Sequence, residues 1–130
     1  MRKIMTDTQK TVESHPVATV QEVLGALHDP VRLEMVRRLS NAGGPVRCGM
    51  LYDTINKSTA THHLKILREA GITERIVADG QTYARLRTDE VEHALPGLLA
   101  AVVGAANRAG AADPSGTAAA QPPAPDSGRD

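Results

Sequence analysis

The stretch Asn56-Lys57-Ser58-Thr59-Ala60-Thr61-His62-His63-Leu64-Lys65-Ile66-Leu67-Arg68-Glu69-Ala70-Gly71 decides how this chain folds. Asn56-Lys57 is a tight turn, Ser58 has the chemistry of a helix N-cap, and Gly71 has that of a C′ stop. At about 100° per residue, Ala60, His63, Leu64, Leu67 and Ala70 fall on one side of the predicted helix. Ser58, Thr61, His62, Lys65 and Glu69 fall on the other, with Thr59 and Arg68 at the margins. One face is thus nearly all apolar, and the other carries hydroxyl, imidazole and ammonium groups near the helix start. Such groups hydrogen-bond base edges and phosphates. The helix N-terminus adds free N–H groups and partial positive charge.

On the C-terminal side the period changes from helical to alternating. Residues 72–78 and 81–87 flank Asp79-Gly80, and an Asp-Gly pair between alternating segments predicts a two-stranded hairpin. On the N-terminal side, Val20, Val23, Leu24 and Leu27 have helical spacing, opened by Thr19 with Glu22 at capping-box distance. Asp29-Pro30 is an N-cap followed by proline at the first helical position. The second helix buries the stem of Arg32 with Met35, Val36 and Leu39, and Ser40 to Pro45 stops it. Val46 to Cys48 is expected to be a short extended piece, followed by a brief third helix from Gly49 to Ile55 through Met50, Leu51 and Ile55. Asp89 to Ala94 is expected to be a turn. After it, Leu95, Leu98, Leu99, Val102, Val103 and Ala106 mark a last, strongly apolar helix, opened by Pro96.

The predicted fold is therefore mainly α with a small β-hairpin: a winged helix-turn-helix of five or six helices plus a two-stranded wing. In that arrangement the second helix of the pair enters the major groove while the wing reaches the neighbouring backbone. The motifs also resemble a known family. Leu27-His28-Asp29-Pro30-Val31-Arg32-Leu33 and Ser58 to Ile72 are similar to the helix-opening and recognition-helix motifs of ArsR/SmtB-type regulators, and Asp79-Gly80 sits where those proteins turn the wing. The resemblance covers about residues 17–106. It implies a homodimer held by the first and last helices, binding to an operator in double-stranded DNA, and release by an effector. By this resemblance Ser58, Thr59, Thr61, His62 and Lys65 form the major-groove set, flanked by the basic Lys57 and Arg68, while Arg75, Gln81 and Arg85 are wing candidates for phosphates. Val20, Val23, Leu24, Leu98, Leu99, Val102 and Val103 are the dimerisation candidates. His63 matches the family's histidine, but its angle turns it inward and favours a structural role.

Composition fits this reading once charge is taken by region. The 130 residues carry 15 basic and 15 acidic side chains, yet residues 28–87 hold ten basic against six acidic groups and residues 88–130 hold two against six. A basic middle is hidden by an acidic end. With Tyr52 and Tyr83 as the only aromatic residues apart from histidine, the core must be aliphatic. Residues 1–15 are polar and expected to be loose, residues 16–108 form the folded domain, and residues 109–130 are an Ala/Pro/Gly-rich tail expected to be disordered. No run of apolar residues is long enough to span a membrane, and a cytoplasmic location is expected.

No catalytic set or phosphate-binding glycine loop is present, so no enzyme activity and no cofactor are expected. The metal patterns of the family are broken. Cys48 is the sole cysteine, and a lone thiolate does not fill a soft-metal site; Asp89 and His93 make a start, but residues 94–108 hold no His, Cys, Asp or Glu. A composite site from His15, His28 or His93 across a dimer stays open, against the plainer reading of surface imidazoles. A redox role for Cys48 stands against that of a small half-buried residue. The functional rival is a winged-helix adaptor that binds a protein partner. Steep weakening of duplex binding with salt separates the two readings.

Overall fold

The computed structural model describes residues 10–112. Among these it contains five α-helices and the antiparallel hairpin, as the sequence predicts. Helix α1 (Val20–Leu27) opens with the reciprocal capping box: the Glu22 N–H donates to Thr19 Oγ1 and the Thr19 N–H to Glu22 Oε1, each at 3.3 Å. Helix α2 (Pro30–Ala42) is capped by Asp29, which accepts from the N–H groups of Val31 at 2.8 Å and Arg32 at 3.1 Å. Gly43, left-handed at φ 76°, ends it.

Helix α3 (Lys57–Glu69) starts two residues earlier than expected, and its cap is Asn56 rather than Ser58. Asn56 Oδ1 accepts from the Thr59 N–H at 2.8 Å. Asparagine and serine cap about equally well, and here Ser58 lies inside the helix with its hydroxyl donating to Asn56 Oδ1. The other end is a Schellman closure, with the Gly71 N–H on Arg68 O at 2.9 Å and the Ile72 N–H on Leu67 O at 3.1 Å.

Strands β3 (Thr73–Ala78) and β4 (Gln81–Leu86) pair antiparallel from Thr73↔Leu86 to Ala78↔Gln81. Asp79 at φ 54° and Gly80 at φ 75° make the turn between them. The hairpin is not alone, however. Residues 1–15 were expected to be loose, yet β1 (Lys10–Glu13) pairs with β3 from Lys10↔Ala78 to Glu13↔Arg75. On the other side β2 (Val46–Arg47) pairs with β4, giving a four-stranded sheet of order β1-β3-β4-β2. All four β1 residues are exposed, so β1 shows no alternation of apolar and polar residues and is held by its backbone ladder. Residues 1–9 lie outside the described residues.

Two further expectations are corrected. The third helix over Gly49–Ile55 is absent; a single 3-10 turn, Cys48–Met50, stands there. Gly49 is a poor helix former, and Arg38 of α2 takes the Met50 carbonyl at 3.2 Å and Asp53 Oδ2 at 2.5 Å. That carbonyl is the acceptor a helix through Thr54 would use. Met50 is 68% exposed, whereas Leu51 is 1% exposed. Pro96 does not open the last helix either. Residues Thr88–Ala94 form a helix, α4; Pro96-Gly97 then turns with the Gly97 N–H on Glu92 Oε1 at 2.8 Å, and α5 is Leu98–Ala112. Helix α5 therefore carries the alanine-rich start of the expected tail, Ala109–Ala112. Residues 113–130 lie outside the described residues.

The chain forms two compact units, one ending at Leu99 and one beginning at Ala100. The core of the first is aliphatic: Val23, Met35, Val36, Leu39, Leu51, Leu67, Ile72 and Val91 are essentially inaccessible. The second contributes the α5 residues from Ala100 onward.

Candidate nucleic-acid interface

Helix α3 divides as its sequence periodicity predicts. Ala60, Leu64, Leu67 and Ala70 are buried, while Lys57, Ser58, Thr59, Thr61, His62 and Lys65 are all exposed. These residues occupy the first turns and one face of the helix. The Lys57 and Ser58 N–H groups, among the four at a helix start without an intrahelical acceptor, remain open to an anion. Thr61 Oγ1 donates to Lys57 O at 2.8 Å, which leaves its oxygen lone pairs and methyl group outward. Lys65 lies 3.9 Å from Glu69, an exposed pair worth little that frees the ammonium readily.

His63 is half-buried and turned inward. Its Nδ1 lies 3.0 Å from Arg32 Nη1, and Arg32 Nε donates to Ala26 O at 2.6 Å. The recognition helix is thereby tied to α2 and to the end of α1. Asp29, which opens α2, is desolvated, which favours the protonated carboxyl. The Arg32 and Val31 N–H groups, with the Arg32 charge nearby, outweigh this and hold its pKa below the usual carboxylate value.

The wing candidates fare differently. Gln81 begins β4 and accepts from Arg47 Nη2 at 2.8 Å. Arg47 therefore joins the hairpin tip, and sequence reading missed it because its partner lies 34 residues away. Arg75 is exposed and 3.4 Å from Glu13 of β1. Arg68 sits mostly inside, 18% exposed, with Nε 3.7 Å from the same Glu13 oxygen and without a hydrogen-bond acceptor. Arg85 is engaged by Glu74 at 2.6 Å and Glu90 at 3.4 Å, so a phosphate would have to compete with two carboxylates. The exposed wing cations beside α3 are thus Arg47 and Arg75.

The dimerisation candidates are also spread. Val20 and Leu24 stand on the outer side of α1, 49% and 47% exposed, whereas Val23 and Leu99 are core residues of the first unit. Leu98, Val102 and Val103 lie on α5. Among the described residues no group of three or more His, Cys, Asp or Glu side chains could hold a metal ion. None of the described helices is long and apolar enough to cross a membrane.

A capped helix with a polar outward face, followed directly by a hairpin with cations at its flank, defines a winged helix-turn-helix nucleic-acid-binding protein. Known proteins agree. Residues 27–76 match a helix-turn-helix domain family. An uncharacterised HTH-type transcriptional regulator of Bacillus subtilis (strain 168), YceK, is 38% identical over 80 residues, covering 60% of this chain and 80% of that protein. The crystal structure of the transcriptional repressor BigR from Xylella fastidiosa superimposes with a TM-score of 0.54 at 29% identity, covering 69% of this chain and 84% of that one. This chain belongs to the HTH-type transcriptional regulators.

Proposed function

We propose that the chain is an ArsR/SmtB-type repressor that binds an inverted-repeat operator as a homodimer and is released by an effector other than a metal held by the family's usual ligands. The supporting observation is the joint exposure of Ser58, Thr61, His62 and Lys65 on a helix whose opposite face is buried. In this reading α3 enters the major groove, where His62 and the hydroxyls face base edges and Lys65 meets phosphate. Lys57, Arg47 and Arg75 hold the flanking backbone. The two-fold interface uses the exposed Val20 and Leu24 of α1 with Leu98 of α5, because a dimer buries apolar residues that a monomer leaves in water. The likeness to a known repressor supports the direction of regulation.

Footprinting on the region upstream of its own gene tests this directly. The expected result is protection of two half-sites separated by about one helical turn or a small multiple of it, with affinity falling steeply as salt rises. Absence of duplex binding at low salt overturns the reading and leaves the protein-adaptor alternative.

A further inference from the structure

The 3-10 turn that stands in place of the expected third helix lines an open space. A cavity of about 720 Å³ opens between α3 and the sheet, within the size range of small-molecule sites. Its lining is mixed in chemistry. It includes Arg68 and Arg75, two guanidiniums that share the single carboxylate of Glu13 at 3.7 and 3.4 Å. Neither distance is that of a close charge-assisted hydrogen bond, and the Arg68 Nε is buried without an acceptor. The other acid on the wall, Glu74, is committed to Arg85. The lining also includes Met50 and Tyr52, and Met50 is the most exposed large apolar side chain described.

Two under-neutralised guanidiniums lining one cavity with an exposed methionine and a tyrosine match one chemical class. We propose that this cavity binds a small organic acid, with its carboxylate on Arg68 and Arg75 and its apolar body on Met50 and Tyr52. Thr61 of α3 and Gln81 of the hairpin belong to the same wall. Both are on the candidate DNA face, so the occupied cavity and a bound duplex compete. This last point rests on the proposed function; the binding of the acid does not.

The test uses the full chain, ¹⁵N-labelled, titrated with benzoate and octanoate, each set against its neutral amide, and with inorganic phosphate. Expected are saturable shifts at residues 47–52, 60–68 and 73–84 for an acid. Binding should weaken by about tenfold or more for its amide and in the Arg68→Gln/Arg75→Gln variant, as removal of a charge-assisted hydrogen bond would do. If the double variant loses its melting transition, Arg75→Gln alone, at an exposed position, takes its place. Equal binding of acids and amides, no binding by either acid, or phosphate matching the acids in affinity would each overturn the proposal. A labelled duplex is titrated in parallel. Acid binding without duplex binding sinks the proposed function and keeps the cavity, and duplex binding without acid binding does the reverse.

Discussion

Arg32 on α2 and His63 on α3 meet with Nη1 and Nδ1 3.0 Å apart. A guanidinium only donates hydrogen bonds, so Nδ1 is the accepting nitrogen and the ring proton sits on Nε2. With Arg32 Nε on Ala26 O, one side chain spans the end of α1, the body of α2 and the recognition helix. The two neighbouring histidines therefore differ in kind: His63 orients the helix from inside, and His62 is exposed on its outer face.

His63→Ala is expected to lower unfolding free energy by about 1–2 kcal/mol, because a hydrogen bond to a charged group disappears and a part-buried donor is left over. His62→Ala should leave the urea midpoint unchanged and weaken duplex binding. Parallel urea titrations and anisotropy measurements read both. Equal stability loss in the two variants would refute the division of roles.

Lys65→Ala should weaken binding of every duplex by a similar factor. Removing one lysine–phosphate interaction flattens the slope of log affinity against log salt by about 0.9. An unchanged slope would place Lys65 off the DNA backbone.

Gly71→Ala should destabilise the fold by more than about 2 kcal/mol. Gly71 is left-handed at φ 81°, and an added Cβ would stand 2.4 Å from the Pro16 carbonyl oxygen and 2.5 Å from Val17 Cα. Arg87 reinforces the junction by donating to the carbonyls of His15 and Gly71. Thermal melts compare the variant with Gly43→Ala, also left-handed but with open space around it, which should cost less.

Acid should loosen α2. The Glu34 carboxyl is opposed by burial but held below its usual pKa by Arg37 and Arg38, and Asp29 is depressed by its helix-start N–H groups. A depressed folded-state pKa means stability that is full above the unfolded value near 4 and lost as pH falls through the folded value. Melting temperature should therefore drop below about pH 4. Asp29→Ala, costing about 1 kcal/mol at neutral pH, should make that drop shallower.

Cys48 should react slowly with a disulfide reagent at neutral pH. Burial pushes its thiol pKa up, against the pull of Arg75 and Arg68. Labelling should quicken in urea and at higher pH. Fast labelling of the native protein at pH 7 would contradict this.

What the sequence made legible was local chemistry. Thr19 with Glu22, Asp29 with Pro30, and Asp79 with Gly80 act within four residues, so their motifs predict their structures. The apolar side of α3 was equally visible as periodicity. Long-range geometry was not. Arg38 reaches Met50 and Asp53 where the pattern around Leu51 suggested a helix, and nothing near residue 50 announces it. Arg47 meets Gln81 only because β2 pairs with β4. Asn56 and Ser58 are both good caps, and sequence does not rank them. The cavity is lined from four separated stretches of chain and was invisible for the same reason.

The pairing of β1 with β3 has a practical consequence for anyone shortening this chain. Lys10–Glu13 satisfies the ladder groups along one margin of the hairpin. A truncation that removes the first fifteen residues as a dispensable leader would strip that margin bare, leaving Arg75–Ala78 as an unpaired template for a neighbouring molecule. The shortened protein would then self-associate through its wing, and a gel shift made with it would report aggregates instead of operator complexes.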